Sequence, residues 1–227
     1  MSNSDDIRAK VRSIVTEDPN SWENVWNQNL KPWDAGAVQP PLKEIIESGQ
    51  LDLPDKGRTL VPGCGTGYDI VYLASTLKGF DVLGLDVSPT AVDAARRHLE
   101  SQDVPTSPDR EIKFEAGDFF KYTISDDKKF NLIYDHTFFV AIPPSFRLSW
   151  GSQMRNLIKP NGYLITIVYP IQERSEEDKL KGPPFYVEPD HYIEPLGDGW
   201  QKIVDKVPNI SSPSHEGKER LIVWKRL

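Results

Sequence analysis

Residues 58–88 read RTLVPGCGTGYDIVYLASTLKGFDVLGLDVS, and this stretch decides the fold. Thr59 to Pro62 is a short apolar run that leads into Gly63, Gly65 and Gly67. Ile70, Val71, Leu73, Ala74 and Leu77 then recur at helical spacing until Gly79 stops them. A second apolar run, Val82 to Leu85, ends at Asp86. Strand, glycine turn, helix, strand and acidic tip make one half of a nucleotide-binding α/β sheet. Asp86 lies 86 − 67 = 19 positions past the last glycine, near the spacing of about 20 at which a carboxylate meets a ribose. Cys64 inside the turn reads as a small packed residue rather than a reactive thiol.

The glycine spacing discriminates between nucleotides. A dinucleotide fingerprint would place its third glycine at position 68, which is Tyr68. A pyrophosphate needs amide groups of a helix N-terminus brought close to it, and the spacing here does not preserve that approach. S-adenosylmethionine has no phosphate. It needs backbone room for its methionine portion and a carboxylate for two ribose hydroxyls, which Gly63, Gly65, Gly67 and Asp86 supply. The plainer alternative is a set of turn glycines beside a surface aspartate.

Composition sets the outer bounds. The chain has 227 residues, a length that suits one α/β domain with its own core. We expect a single domain over residues 1–227, with residues 1–50 as an N-terminal cap over the cofactor site. Net charge is −7, a poor basis for gripping a phosphate backbone, so no nucleic-acid partner is expected. One cysteine excludes a disulfide framework, a CxxC metal site and an iron–sulfur cluster, and no metal is expected. The N-terminus, MSNSDDIRAK, is polar and no apolar run approaches the ~18 residues of a membrane span. A soluble cytoplasmic protein is predicted, either a monomer or a weak dimer.

Upstream of the glycine turn, Ile7, Val11, Ile14 and Val15 share a helical face. Ser21 is a predicted N-cap for a helix carrying Trp22, Val25, Trp26 and Asn29 on one face. Pro32-Trp33-Asp34 is a turn, and Pro40-Pro41 opens a helix ended by Gly49. The three tryptophans are either core or the roof of the cofactor pocket. A sulfonium cation attracts aromatic faces, worth about 0.5–2 kcal/mol each.

Downstream, Ser88 caps a helix with Pro89 in its first turn. Val104 to Arg110 is a predicted loop and Ile112 to Ala116 a third strand. Asp118 beyond that strand can take the exocyclic amine of adenine, with Phe119 against the ring. Phe130 to Tyr134 is a fourth strand, ending at Asp135-His136-Thr137-Phe138, where ligands sit in open α/β sheets. Methyl transfer to an adenine or amide nitrogen would want a polar residue followed by Pro-Pro-aromatic here, which is absent. Pro143-Pro144 reads as a helix start, and Pro160-Asn161-Gly162 as its end. Arg147 on that helix contacts substrate or is solvated. Tyr163 to Tyr169 is a fifth strand, Gly182 to Val187 a stiff aromatic lid, and Trp200–Val207 with Glu219–Trp224 a closing strand pair. His98 and His191 read as solvated or capping, and His215, in a Ser/Pro loop, as inert.

These residues resemble the thiopurine methyltransferase family, and especially its thiocyanate, halide and thiol methyltransferase branch. The matching stretches include Trp22-Glu23-Asn24-Val25-Trp26, Lys31-Pro32-Trp33-Asp34, Arg58 to Gly65, Gly84 to Ser88, Phe138 to Pro144, Leu157 to Gly162 and Val168-Tyr169-Pro170. The resemblance runs from Trp22 to the C-terminal tryptophan strand. It implies a Rossmann-like class I S-adenosylmethionine-dependent methyltransferase with a seven-stranded, mostly parallel sheet, helices on both faces and a reversed last hairpin. It implies cofactor contacts at Trp22, Trp26, Trp33, Gly63, Asp86, Asp118 and Phe119, with Gly65 of the same turn beside them. The position after Asp135 also contacts the cofactor in the family, as Tyr in plant relatives and Arg in the thiopurine branch; here it is His136.

The implied reaction is in-line methyl transfer to a small thiol, thiocyanate or halide. Such a soft nucleophile needs placement and desolvation rather than a strong base, with His136 as a proton acceptor for a thiol. Phe138, Phe139, Tyr169, Phe185 and Tyr186 are predicted to form the apolar acceptor wall, with Arg147 nearby. Competing readings are a small-molecule O- or N-methyltransferase, a non-catalytic S-adenosylmethionine-binding protein and, more distantly, a nicotinamide enzyme. Arsenic methylation draws on several thiolates and only Cys64 exists.

Overall fold

The computed structural model describes residues 3–105 and 108–227. Thr106 and Ser107 of the predicted 104–110 loop lie outside the described residues. Before the sheet come helices α1 (Asn3–Ile14), α2 (Ser21–Asn27) and α3 (Pro40–Glu47). The decisive stretch then folds as predicted into β1 (Gly57–Pro62), α4 (Tyr68–Thr76) and β2 (Phe80–Asp86). Next come α5 (Pro89–Glu100), β3 (Ile112–Ala116), β4 (Phe130–His136), the short α6 (Phe138–Ala141) and α7 (Arg147–Leu157). The chain ends with β5 (Ile158–Val168), the one-turn α8 (Glu176–Lys179) and α9 (Ile193–Leu196), β6 (Trp200–Lys206) and β7 (Arg220–Arg226).

One seven-stranded sheet has the order β3-β2-β1-β4-β5-β7-β6. β1, β2, β3, β4 and β5 pair in parallel, and β7 runs antiparallel to both β5 and β6. The chain builds outward from β1 to β3 and then crosses to β4 on the other side of β1. That reversal leaves a crevice beyond the carboxyl ends of β1 and β4, where open α/β sheets hold ligands.

Both faces of the sheet's centre are covered, so β1, β2, β4 and β5 are largely apolar and alternate between two cores, while the edge strands β3 and β6 carry polar residues such as Lys113 and Gln201. Leu132 and Tyr134 of β4 join Leu42, Ile70, Leu73 and Val92 under α3, α4 and α5. Ile133 between them joins Trp150, Met154, Tyr192 and Leu196 of the opposite layer. Ser88 caps α5 as expected, its hydroxyl accepting the Ala91 amide at 3.0 Å.

Three boundaries differ from the sequence expectation. Asn20, not Ser21, precedes α2; the Ser21 hydroxyl instead accepts the Thr16 amide at 3.0 Å, joining α1 to α2. Asn29 lies beyond α2 and turns the chain with φ of 53°. Pro160-Asn161-Gly162 does not end α7, which stops at Leu157; those residues already belong to β5. Ile158 pairs with Phe130 and Tyr163 with Leu132, so the extra residues form an irregularity at the strand's start. Among the described residues no helix is long and apolar enough to cross a membrane.

Candidate active site

The turn after β1 is shaped by its glycines. Gly63 and Gly65 have φ of 59° and 54°, a region open to glycine and costly for side chains. A Cβ on Gly63 would stand 2.7 Å from the Phe138 ring. The turn is fastened to the tip of β2 by Asp86, whose Oδ2 accepts the Gly65 amide and Oδ1 the Ser88 amide, both at 3.0 Å. Burial pushes the Asp86 carboxyl up to about 6 against the pull of those two amides, and Glu23 adds to the rise. Each oxygen keeps a further lone pair, so the carboxylate can still accept two sugar hydroxyls.

The tryptophans come from outside the sheet and need anchoring, because α2 has 7 residues and helices that short do not hold themselves. Val25 is fully buried beneath it and Trp26 is 7% exposed. Glu23 accepts hydrogen bonds from Ser88 and from the Thr90 hydroxyl, tying α2 to the start of α5. Asp34 accepts the Thr66 hydroxyl at 2.7 Å, tying the Trp33 turn to the glycine turn. Trp33 meets Trp22 edge-on at 5.4 Å and Trp26 at 6.4 Å. Glu23 and Asp34 were not singled out in the sequence as functional, although each sits inside a tryptophan motif.

Together these groups enclose a cavity of about 480 Å³ along the sheet's carboxyl rim, within the ~300–1,000 Å³ of small-molecule sites. Trp22, Trp26, Trp33, Gly63, Gly65, Asp86, Asp118 and Phe119 all line it. Asp118 caps the short turn of Phe119–Lys121 through the Phe120 amide at 2.9 Å. Phe138 meets Phe119 edge-on at 5.0 Å. Three indoles, an open glycine turn, a buried carboxylate and an acid beside an aromatic ring fit S-adenosylmethionine. Cys64 is packed under Gly84 and is not part of the wall; burial first, then Asp86, pushes its thiol well up.

The acceptor residues separate. Phe138 and Tyr169 line the cavity. Phe139, Phe185, Tyr186, Arg147 and His136 do not. Phe139 is fully buried, stacked on Tyr192 at 4.1 Å and edge-on to Trp150 at 4.8 Å, because its helical register turns it into the core. The Phe185 ring folds back over Gly182, and the Tyr186 hydroxyl donates to Glu188 away from the cavity. Arg147 donates to the Tyr186 carbonyl at 2.7 Å and lies over the Phe139 ring at 4.6 Å, a brace rather than a wall. His136 shares the strand parity of Leu132 and Tyr134, so its ring is drawn toward the packed side of β4. Its Nε2 is buried with no hydrogen-bond partner, and burial, with His215 adding, lowers its pKa to about 3. It is therefore neutral and sits behind the wall. His191 caps the Pro189–Tyr192 turn with Glu188, as a capping histidine should.

Several lining residues escaped the sequence. Arg8 and Arg12 of α1, Arg174, Lys218 and His215 all face the cavity at the β5 and β7 end. Arg12 donates to the Pro183 carbonyl at 3.2 Å and Arg174 to that of Pro184 at 3.0 Å, so α1 and the 182–187 segment close that end together. Among the described residues no group of three His, Cys, Asp or Glu could hold a metal ion.

Comparison with known proteins agrees with this geometry. Residues 17–225 match the family model described as thiopurine S-methyltransferase. A probable thiol methyltransferase 2 of Arabidopsis thaliana is 38% identical, over 90% of this chain and 84% of its own. Thiocyanate methyltransferase 1 of the same plant is 36% identical, over 93% and 87% respectively. A solved S-adenosylmethionine-dependent methyltransferase of Methanosarcina mazei superposes with a TM-score of 0.64 at 19% identity, over 84% of this chain and 99% of its own. The sheet order, the glycine turn closed by Asp86 and the matched length agree on one conclusion: the chain belongs to the thiopurine S-methyltransferase family.

Proposed function

We propose that this S-adenosylmethionine-dependent methyltransferase delivers its methyl group to the sulfur of a small acceptor, a thiol or thiocyanate, and also to a soft halide. S-adenosylmethionine supplies a methyl group already activated on a cationic sulfur. The protein's work is alignment and desolvation, which together account for a large part of such a barrier. In this reading Trp22, Trp26 and Trp33 turn aromatic faces to the cation. Asp86 takes the sugar hydroxyls, Asp118 the adenine amine, and Phe119 covers the ring.

The single observation that carries the reading is the cavity's composition from end to end. The wall near β1 and β2 is indole, glycine and carboxylate; Phe138, Ile142 and Phe146 after β4 extend it, Phe138 and Phe146 packing on Phe119 and Phe120, and Tyr169 after β5 joins Arg8, Arg12, Arg174 and Lys218. An apolar wall strips water from a soft nucleophile, and the cations favour one that carries negative charge. A panel of 2-mercaptoethanol, thiocyanate, iodide and phenol, read by release of S-adenosylhomocysteine, tests it. We expect turnover of the sulfur acceptors and iodide. Turnover of phenol with neither sulfur acceptor would overturn the proposal.

A further inference from the structure

The sequence predicts an inert loop histidine at 215, and the structure gives it a different setting. His215 and Glu219 lie between β6 and β7 and are each 3% exposed. His215 Nδ1 is 2.8 Å from Glu219 Oε2. The imidazole stacks on Tyr169 at 3.6 Å with 18° between the planes. Its backbone is held on both sides, donating to Ser212 and accepting from Lys218, each at 2.8 Å. His215, Tyr169 and Lys218 all line the acceptor end of the cavity. A buried carboxylate is expensive to keep, and Oε1 of Glu219 meets no hydrogen-bond partner among the described residues. That cost is spent on orienting one imidazole.

A carboxylate only accepts, so Nδ1 carries the hydrogen and Nε2 is left with a bare lone pair. The other groups around the ring are the His136 imidazole at 5.5 Å, Tyr169, the exposed Lys218, and Arg8 of α1 beyond Tyr169. His136 is neutral, as its burial dictates, and does not compete as a cation.

We propose that Nε2 of His215, oriented by Glu219, is the proton acceptor for methyl acceptors that arrive protonated, thiols above all. The S–H bond breaks, its proton forms an N–H bond on Nε2, and the electron pair stays on the acceptor sulfur. That pair then takes the methyl group, whose former bonding pair remains with the departing sulfur; the imidazolium later returns its proton to solvent. Thiocyanate and iodide carry no proton and bypass the step. An alkyl thiol is no stronger an acid than a cysteine side chain at ~8.5, so it is mostly un-ionised at neutral pH and needs it. His215 thus has a catalytic role and Glu219 a positioning one. The inference rests on the sulfur-methylation reading above.

The test compares wild type with His215→Gln and Glu219→Gln on 2-mercaptoethanol and thiocyanate, with S-adenosylhomocysteine calorimetry to verify folding. In His215→Gln the thiol-to-thiocyanate ratio of kcat/KM should fall about 100-fold, the low end of general-base effects. The thiol deficit should shrink as pH rises and solvent ionises the thiol. Glu219→Gln should show a smaller fall. Proton NMR of the wild-type product complex, independent of turnover and of either variant's folding, should show a downfield Nδ1 proton. It should be shifted or lost in Glu219→Gln. Equal loss for both acceptors, an unchanged ratio, a thiol deficit that ignores pH, or a histidine without an Nδ1 proton overturns the proposal. Wild type that methylates neither acceptor refutes the sulfur-methylation reading itself, before any variant is made.

Discussion

Asp86 is the side chain whose chemistry is most tightly constrained. Burial raises its pKa to about 6, so the empty site holds a carboxyl that is protonated in mild acid. Sugar hydroxyls donate to the ionised form, so binding favours ionisation and lowers that pKa. Affinity for S-adenosylhomocysteine should be flat above about pH 6 and weaken as pH falls through it, by at most about tenfold per unit. Asp86→Asn should remove that dependence and weaken binding about ten- to hundredfold, the worth of ~1.5–3 kcal/mol for charged hydrogen bonds. Calorimetry across this range checks both; a dependence that survives in the variant would assign it to another group. The stability of the empty protein runs the opposite way. A carboxyl raised by folding contributes stability below its unfolded pKa, which is lost as pH rises through about 6; Asp69, raised to about 7 by burial, has the same sign. At this scale the sequence was legible where spacing is local. Three glycines and Asp86 lie within one unit whose geometry follows from their order. His215, Arg8 and Arg174 were illegible because only the folded chain brings them to one cavity.

Whole elements were easier to read than their faces. The central strands stand close to their apolar runs, since a sheet covered on both sides requires such runs. Which side chain faces the site is a matter of register, and there the aromatic wall was misjudged. Phe139 follows Phe138 by one residue on α6, about a quarter-turn away, and that rotation sends it into the core. The same dependence on close contact governs the packing of α7 on α9. A Cβ on Gly151 would stand 1.8 Å from the Pro195 carbonyl oxygen, a backbone atom that cannot rotate aside. Gly151→Ala should force α9 outward at a cost of about 1–3 kcal/mol. That corresponds to a fall in Tm of roughly 2–12 °C for a chain this size, read in a thermal scan. An unchanged Tm would mean that the helices separate without loss, and that α9 is not held as described. The α2 helix illustrates the converse: its position depends on Glu23 and Asp34, so the tryptophans are placed by polar ties rather than by helix propensity.

The molecule as a whole is anionic, with a net charge of −7, yet its proposed acceptors include anions. The global field repels thiocyanate and the local one attracts it, and distance decides between them. The net charge is spread over a body with a radius of gyration near ~17 Å, while screening at physiological salt acts over about 8 Å. Arg8, Arg12, Arg174 and Lys218 line the cavity itself, matched in number by Glu17, Asp34, Asp86 and Asp118. Asp86 and Asp118 stand at the ends of β2 and β3, while Tyr169 and the cations near it stand past β5, so the cations should dominate where the acceptor enters. Two of them are committed elsewhere, Arg12 and Arg174 holding the 183–184 carbonyls, while Arg8 stands near enough to Tyr169 to act on its hydroxyl. Lys218 is exposed, and its backbone amide rather than its ammonium holds the His215 loop. Lys218→Gln thus removes one charge and leaves the loop in place. It should raise KM for thiocyanate about two- to fivefold, the scale of ~0.5–1 kcal/mol for an exposed charge interaction. The fall of thiocyanate kcat/KM with added salt should also flatten, while uncharged 2-mercaptoethanol shows little of either effect. A thiocyanate rate that rises with salt in the wild type would mean that the global charge governs entry and that the cationic rim is incidental.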